Sequence, residues 1–328
     1  MESTLLEVSG LAVVMPDRGS GAKPVIEGLN LQIGRGEAVG LVGESGCGKT
    51  TALLSVLGLL PRGGRVTAGA IRFDGVDMLN SGRRTLRGIL GKRIGVIWQD
   101  PLAALDPVMR VGDQISEVLL AHEQLDRRRA RARVHELMRH VELPDVERLA
   151  RRYPHELSGG QRQRVVIAAA IAASPELLLC DEPTTALDVT VQDQVLGLLG
   201  RLRQELGVAL LLISHDLAVV REMCDRVCVM YAGRIVEQGE ADRVFSTPLH
   251  PYSAGLVSSS PDVDRVGIRP HGIPGLPPGR VVDGSCAFAD RCAFADSSCR
   301  ETLPELAQVD GRLVACHHSL AALREADG

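Results

Sequence analysis

The sequence predicts an α/β protein whose parallel β-sheet carries a phosphate-binding loop. Short continuous apolar runs at residues 94–98, 177–180, 208–213 and 227–231 are typical of parallel strands that are buried on both faces. Helical segments separate these runs, as expected for a sheet covered by helices. A further apolar stretch, residues 38–42, leads directly into a glycine-rich segment. These three patterns together define the expected core.

Two other regions depart from this alternation. Residues 5–14, 25–33 and 70–73 alternate or cluster apolar side chains between Gly and Pro, which predicts a small antiparallel sheet beside the loop. Strand signals disappear over about residues 100–174, where helical patterning indicates a helical subdomain.

The glycine-rich segment matches the pattern G-x-x-x-x-G-K-[ST], and a helix-like segment follows at residues 50–60. Its glycines let backbone N–H groups turn inward around phosphates, and the helix directs its positive end to the same place. Lys49 is expected to reach the outer phosphates and Thr50 to hold Mg²⁺. The alternative is a glycine-rich turn before an ordinary helix. The candidate nucleotide-binding residues of this segment are Gly43, Glu44, Ser45, Gly46, Cys47, Gly48, Lys49, Thr50 and Thr51.

Two adjacent carboxylates, Asp181 and Glu182, follow the apolar run at residues 177–180. Ligands of open α/β sheets bind at the carboxyl ends of the strands, which is where this pair is expected. Asp181 is predicted to complete Mg²⁺ coordination, and Glu182 to polarise the attacking water. The alternative for such a pair is the N-cap of a helix.

Residues 157–161 read Leu-Ser-Gly-Gly-Gln. Ser158 and Gln161 match a capping box for the helix that continues to residue 171. Gly159 and Gly160 also expose backbone N–H groups to an anion at the positive end of that helix. Both interpretations are compatible, so these four residues are candidate nucleotide contacts.

These runs, together with Gln99, residues 186–188 and residues 214–216, strongly resemble the ATP-binding subunit of ABC transporters. The resemblance spans about residues 5–255, and the run at 157–161 is its central part because ordinary phosphate-loop ATPases lack it. It implies the ABC-type ATPase fold, in which a phosphate-loop parallel sheet is joined by an antiparallel β subdomain and a helical subdomain. The implied ATP-binding domain covers residues 1–255.

The resemblance also implies roles for single residues. Gln99 would be the Q-loop residue linking the γ-phosphate and Mg²⁺ to membrane subunits, Asp188 would lie in the D-loop, and His215 would be the switch histidine. In this family the five-residue signature, here residues 157–161, closes over nucleotide bound to another subunit, so this chain must dimerise to make two sites. The implied catalytic residues are Glu182, His215 and Gln99. The implied ligands of Mg²⁺ are Thr50, Gln99 and Asp181.

Two residues carry further expectations. Met15 lies where relatives stack an aromatic residue on adenine, and a Met packs on a purine more weakly than Tyr does. Cys47 precedes a helix N-terminus, where the pKa of a thiol is lowered, so its oxidation is expected to block ATP.

Several segments resemble the dipeptide and oligopeptide importer branch, which also includes nickel importers. They are residues 99–107, 153–156, 250–253 and 273–278. The run His250-Pro251-Tyr252 is the most branch-specific, and its alternative is a helix started by proline. The resemblance implies an ATP-hydrolysing subunit that powers uptake of di- or oligopeptides, with nickel or another small solute as the alternative.

The implied partners are two transmembrane permease subunits, a second ABC ATPase subunit (a paralogue or a further copy) and, indirectly, an extracellular solute-binding protein. The expected location is the cytoplasmic face of the cell membrane. A second hypothesis keeps the fold and drops transport: a soluble ABC ATPase serving a multi-enzyme assembly.

Composition supports a cytosolic chain that meets a membrane only through partners. The formal net charge is −4 and the pI near 6.2, which argues against nucleic acid as a partner. No apolar run approaches the ~18–20 residues that cross a bilayer.

Residues 256–328 are predicted to form a C-terminal extension. Prolines and glycines dominate residues 261–284, which is typical of a linker or an extended strap. Four clustered cysteines follow, and in a cytosolic protein they suggest a metal site instead of disulfides. They are Cys286, Cys292, Cys299 and Cys316.

The spacing of these cysteines does not match the paired arms of zinc ribbons. Four thiolates suit a 4Fe-4S cluster, which relatives in the branch are thought to carry. Zinc, with His317 or His318 replacing a thiolate, and no metal at all are the alternatives. The other cysteines are expected to pack as small apolar groups: Cys47, Cys180, Cys224 and Cys228.

Overall fold

The computed structural model describes residues 4–17, 21–185, 187–260, 272–279 and 281–321. Ala186 of the expected D-loop and residues 261–271 and 280 of the expected strap lie outside the described residues. The strands are β1 (Thr4–Asp17), β2 (Gly21–Gly34), β3 (Ala38–Val42), β4 (Arg65–Phe73), β5 (Val76–Asp77), β6 (Ile94–Ile97), β7 (Leu177–Asp181), β8 (Ala209–Ile213), β9 (Arg226–Tyr231), β10 (Arg234–Glu240), β11 (Ala307–Val309) and β12 (Arg312–Val314).

Helices separate the successive parallel strands β3, β6, β7, β8 and β9, as the sequence predicts. They are α1 (Lys49–Leu57), α2 (Arg83–Arg87), α3 (Pro101–Ala104), α4 (Val111–His122), α5 (Arg127–His140), α6 (Val146–Leu149), α7 (Gly159–Ile171), α8 (Val189–Leu206), α9 (Leu217–Met223), α10 (Ala241–Ser246), α11 (Pro251–Ser259) and α12 (Ser297–Glu301). Short 3₁₀ turns lie at Pro154–Glu156 and Ala289–Arg291. Within the described residues, no helix is both long enough and apolar enough to cross a bilayer.

The small antiparallel sheet is confirmed, with the strand order β2-β1-β4-β5. Alternate residues of β1, namely Leu6, Val8, Leu11 and Val13, point into a buried core. The break between Val8 and Leu11 is a register shift against β2, which changes the alternation by one residue.

The large sheet has the order β11-β12-β10-β9-β3-β8-β7-β6, and its five strands from β9 to β6 are parallel. Leu210 and Leu212 of β8 join one hydrophobic cluster, whereas Leu211 and Ile213 join the other. The sheet is therefore buried on both faces, as its continuous apolar runs predict.

The register of the parallel strands explains how the site is assembled. Leu41 of β3 and Asp181 of β7 both pair with Ile213 of the intervening β8. The carboxyl ends of the three strands are consequently level, and the segments that follow them meet at one edge.

Helices alone connect β6 to β7, so the predicted helical subdomain is confirmed by α3 to α7. Three of its helices form a compact unit, because Leu119 of α4, Val134 of α5 and Val165 of α7 share one buried cluster. The predicted packing of the four remaining cysteines is confirmed too, since all of them are buried: Cys47, Cys180, Cys224 and Cys228.

The antiparallel strands β10, β11 and β12 extend the sheet beyond the sequence prediction. The β10 segment carries Glu237, which is 0% exposed. Its carboxylate accepts hydrogen bonds from the N–H groups of Leu249 and His250 and pairs with Arg312 Nη1 of β12 at 3.2 Å. Because these partners satisfy its carboxylate, Glu237 can be buried within β10, although the partners are distant in sequence. The division at residue 255, which lies inside α11, remains a prediction.

Candidate active site

The phosphate loop leaves the end of β3 and enters α1. Gly43 and Gly48 have φ values of 151° and 113°. A Cβ on Gly43 would lie 2.1 Å from the carbonyl oxygen of Met230, and one on Gly48 would lie 2.8 Å from Met230 Cε. The loop is pressed against β9, and only glycine fits both positions.

Lys49 and the start of α1 form a cationic pocket. The Lys49 side chain is buried, and its ammonium donates hydrogen bonds to the carbonyl oxygens of Gly43 (2.6 Å) and Glu44 (3.1 Å). No side chain caps α1, and its first turn contains no acidic residue. The free N–H groups and the positive helix end are suited to an anion.

Two of the three residues expected to hold Mg²⁺, Thr50 and Asp181, lie together. Thr50 Oγ1 donates a hydrogen bond to Asp181 Oδ1 at 3.2 Å. Asp181 is 5% exposed, and this burial raises the pKa of its carboxyl group, while the bond from Thr50 opposes the rise. A hydroxyl and a carboxylate at this distance are the hard ligands that Mg²⁺ prefers, so the residues fit the ion.

Three polar side chains surround the carboxylate of Glu182. Its Oε2 accepts hydrogen bonds from Gln99 Nε2 (3.2 Å) and Thr185 Oγ1 (2.9 Å), and His215 Nδ1 lies 3.3 Å from the same atom. Glu182 itself has φ 46°, a left-handed conformation that its N–H bond to the Ile213 carbonyl holds in place. Two of the expected catalytic residues, Gln99 and His215, therefore converge on one carboxylate oxygen of the third, Glu182.

Thr185 was missed by the sequence reasoning, although a hydroxyl three residues after Glu182 in a turn was the available signal. The N-cap alternative for the acidic pair is excluded. The helix that follows, α8, is capped by Asp188, whose side chain accepts a hydrogen bond from Val191 N at 3.0 Å.

The run at residues 157–161 begins α7. The expected capping box is present, since Ser158 Oγ accepts from Gln161 N (3.3 Å) and Gln161 Oε1 accepts from Ser158 N (3.1 Å). A Cβ on Gly160 would lie 2.6 Å from Val191 Cγ1, so this residue packs against α8 beside Asp188. Among the described residues, no hydrogen bond joins this run to the phosphate loop of its own chain.

Comparisons with known proteins agree with this geometry. The family model described as ABC transporter matches residues 26–185, and the model of the oligopeptide/dipeptide transporter C-terminal region matches residues 236–299. The oligopeptide transport ATP-binding protein OppD of Salmonella typhimurium is 43% identical over 317 residues, which cover 96% of this chain and 93% of that protein. This chain belongs to the family of ABC transporter ATP-binding proteins.

Other relatives and solved structures support the same assignment. A probable peptide ABC transporter ATP-binding protein of Sinorhizobium fredii is 46% identical, with 89% of this chain and 88% of that protein covered. A dimeric ATP-binding cassette, solved in a post-hydrolysis state with ADP and Pi, matches with a TM-score of 0.64 and 27% identity over 72% of this chain and 98% of its own. The cbiO1 protein of Clostridium perfringens, part of an ABC transporter complex, matches with a TM-score of 0.63 and 30% identity. The match covers 75% of this chain and 92% of cbiO1.

The chain is thus an ATPase of the ABC family, in its oligopeptide and dipeptide branch. Met15 of this ATPase lies half-buried in β1, opposite Lys23 of β2. Its sulfur is 2.7 Å from where a Cβ on Gly64 would be. The stacking of Met15 on adenine stays a prediction.

The expected lowering of the pKa of Cys47 is wrong, whereas the effect of its oxidation on ATP stays a prediction. Cys47 is only 5% exposed. Burial raises the pKa of its thiol, and this effect outweighs the opposing effect of Lys49. The position near a helix N-terminus does not compensate for the loss of hydration. Cys47 is consequently a packed thiol whose ionised form is disfavoured.

The C-terminal part of this ABC ATPase touches the phosphate loop, which the sequence reasoning missed. Tyr252 Oη accepts a hydrogen bond from the N–H of Glu44 at 2.8 Å. Arg291 forms two hydrogen bonds with the Glu44 carboxylate, from Nη1 to Oε2 (2.6 Å) and from Nη2 to Oε1 (2.9 Å). Tyr252 was signalled by the branch-specific run at 250–253, whereas no local pattern marked Arg291.

The four C-terminal cysteines line one small cavity, together with His317 and His318. The N–H of Cys286 donates to the carbonyl oxygen of Cys299 at 2.9 Å, which holds two of their segments together. Burial raises the pKa of the thiols of Cys286 and Cys292, and that of Cys316 to about 12. In the described residues, the ligand atoms of Asp296, Cys299 and His318 lie within 4.8 Å of one another and form a possible metal-donor set.

Proposed function

We propose that this chain is the ATP-hydrolysing subunit of an ABC importer that powers uptake of di- or oligopeptides across the cytoplasmic membrane. The observation that carries the solute class is the match of residues 236–299 to the oligopeptide/dipeptide transporter C-terminal region. Relatives named for peptide transport support it, because their similarity extends over most of the chain.

Different residues of the site bind the phosphates, hold the metal ion and activate the attacking water. Lys49 exchanges its two carbonyl partners for phosphate oxygens, and the N–H groups at the start of α1 bind the same anion. Thr50, Gln99 and Asp181 would hold Mg²⁺, which would neutralise phosphate charge. Glu182 then polarises the attacking water, while Gln99, Thr185 and His215 orient its carboxylate.

The site is proposed to be completed by a second ATPase subunit, either a further copy or a paralogue. The signature residues Ser158 to Gly160 lie beside α8 and not at their own phosphate loop. We propose that the N–H groups of Gly159 and Gly160, in the first turn of α7, bind the γ-phosphate held by the other chain, as an arginine finger stabilises charge elsewhere. The solved relative that is a dimer supports this arrangement.

Two transmembrane permease subunits are the proposed membrane partners, so the chain would lie on the cytoplasmic face. An extracellular solute-binding protein would act indirectly, by feeding the permease. The segment after Gln99 presents apolar side chains to solvent, with Leu102 48% exposed and Val108 82% exposed. A permease contact at this segment would reach Glu182 through Gln99, which bonds to it.

Substituting Val108→Asp is expected to abolish co-purification with the permease subunits, because a charge would be buried in an apolar contact. The ATPase rate of the isolated subunit should stay unchanged, since Val108 is outside the hydrolytic site. Leu206→Asp, an exposed apolar residue at the end of α8, is the matched control and should co-purify normally.

Affinity purification from native membranes tests the function itself. Import predicts that two polytopic membrane proteins co-purify with the chain, and that peptide uptake into liposomes containing the complex requires ATP. Co-purification of soluble enzymes alone would contradict import and favour the multi-enzyme assembly.

We further propose that the small cavity lined by the four C-terminal cysteines holds a 4Fe-4S cluster. The ligands would be Cys286, Cys292, Cys299 and Cys316. Their convergence on one cavity supports it, and buried thiols with raised pKa values are groups whose ionised form a metal would stabilise. Zinc is the alternative, held by Asp296, Cys299 and His318, whose ligand atoms lie within 4.8 Å of one another.

Cys299→Ser is expected to eliminate the visible absorbance of a 4Fe-4S cluster from protein purified without oxygen, because one thiolate ligand is lost. Metal analysis separates iron from zinc in the same samples. Cys224→Ser, at a buried cysteine outside the cavity, is the control and should retain the absorbance. Retained absorbance in Cys299→Ser, or none in the unaltered protein, would refute the cluster.

A further inference from the structure

We propose that Arg291 is a positioning residue for ATP binding, which acts by holding Glu44 of the phosphate loop. This inference goes beyond transport, and it needs neither a peptide nor a metal at the C-terminal cysteines. It rests on an ion pair that crosses from the Cys-bearing segment to the nucleotide site.

Arg291 is held in place by contacts within the protein. Its side chain is 5% exposed. Besides the two bonds to Glu44, its Nε donates to the carbonyl oxygen of Pro274 (2.7 Å) and its Nη1 to Tyr231 Oη (3.2 Å). A fixed, two-pronged guanidinium orients a carboxylate more strictly than a lysine ammonium would.

Glu44 is clamped from two directions. Its carboxylate binds Arg291, and its backbone N–H donates to Tyr252 Oη. Tyr252 is 0% exposed, and its ring lies 4.5 Å from that of Tyr231 and 5.4 Å from that of Phe288. The clamp is therefore built on a packed aromatic cluster that joins α11, β9 and the C-terminal segment.

The clamp matters because Glu44 places a negative charge in a loop that must bind a triphosphate. With Arg291 present, that carboxylate is neutralised and held toward the C-terminal segment. Without it, the carboxylate would be unpaired and would repel the phosphates, and the loop that also carries Lys49 would lose one of its anchors. Replacing Glu44 with a neutral residue should remove the repulsion.

A double-mutant cycle tests this, with affinity for a fluorescent ATP analogue measured in Mg²⁺ on the isolated subunit. Arg291→Met is expected to weaken binding about tenfold, and Arg291→Lys to weaken it less because the charge remains. Adding Glu44→Gln to Arg291→Met should restore most of the loss. The control is Arg300→Met, which removes an exposed ion pair with Asp290 in the same segment and should leave affinity unchanged.

The rescue separates positioning from plain stability, because a merely unfolded C-terminal segment would not be repaired by Glu44→Gln. Thermal melting of each variant is followed in parallel, and Arg291→Lys supplies the comparison if Arg291→Met does not fold. Unchanged ATP affinity in Arg291→Met or Arg291→Lys would overturn the proposal. So would a loss of affinity in the double variant equal to the sum of the losses in Arg291→Met and Glu44→Gln alone. The transport proposal would be unaffected by either result.

Discussion

Glu182→Gln is expected to slow ATP hydrolysis by about 10²- to 10⁴-fold while ATP binding survives. The amide cannot polarise the attacking water, yet it keeps the size of the side chain and its ability to accept the bond from Thr185. Lys49 and the start of α1, which bind the phosphates, are untouched. The change therefore separates the chemical step from nucleotide affinity.

Steady-state phosphate release and equilibrium ATP binding, measured on the same preparation, check this expectation. Glu222→Gln, at an exposed position on α9, is the control and should hydrolyse ATP at the normal rate. Normal turnover in Glu182→Gln would remove Glu182 from the catalytic role.

Gly159→Asp is expected to reduce hydrolysis by about 10²- to 10³-fold, comparable to the loss of one transition-state donor. A Cβ at this position would meet nothing closer than Leu187 Cδ2 at 3.5 Å, so the free subunit should tolerate the substitution. The new carboxylate would stand at the start of α7, where the γ-phosphate of nucleotide on a second chain is expected. ATP binding to the phosphate loop of the same chain should persist.

Gly159→Ala is the matched variant, since it adds a methyl group without charge. It should retain much more activity than Gly159→Asp, in assays that supply every companion ATPase subunit. Equal loss in both variants would indicate a steric effect, and full activity in Gly159→Asp would place the signature outside the hydrolytic site.

The parts predicted well from sequence are those whose signals are local. The continuous apolar runs predicted the parallel strands, because strands buried on both faces need no polar residues. The phosphate loop was recognisable because Gly43 and Gly48 have no tolerated replacement where the loop contacts β9. Glu182 followed from its place at the end of β7.

The parts missed depend on contacts between segments far apart in the chain. Strand β10 is buried with Glu237 because Arg312, 75 residues later, pairs with it. Arg291 reaches Glu44 across 247 residues, and no periodicity marks such a pair. The pKa of Cys47 was misjudged for the same reason, since its burial is produced by the folded packing and not by its neighbours in sequence.

The mass of the Glu182→Gln variant in saturating Mg-ATP tests most directly whether two chains share each nucleotide. We predict that light scattering will show its mass rising from the 35.1 kDa of a single chain to about twice that value, alone or with a paralogous ATPase added. Gly159→Asp in the same background should prevent the rise. A Glu182→Gln variant that binds ATP and remains a single chain with every companion subunit present would contradict the shared site.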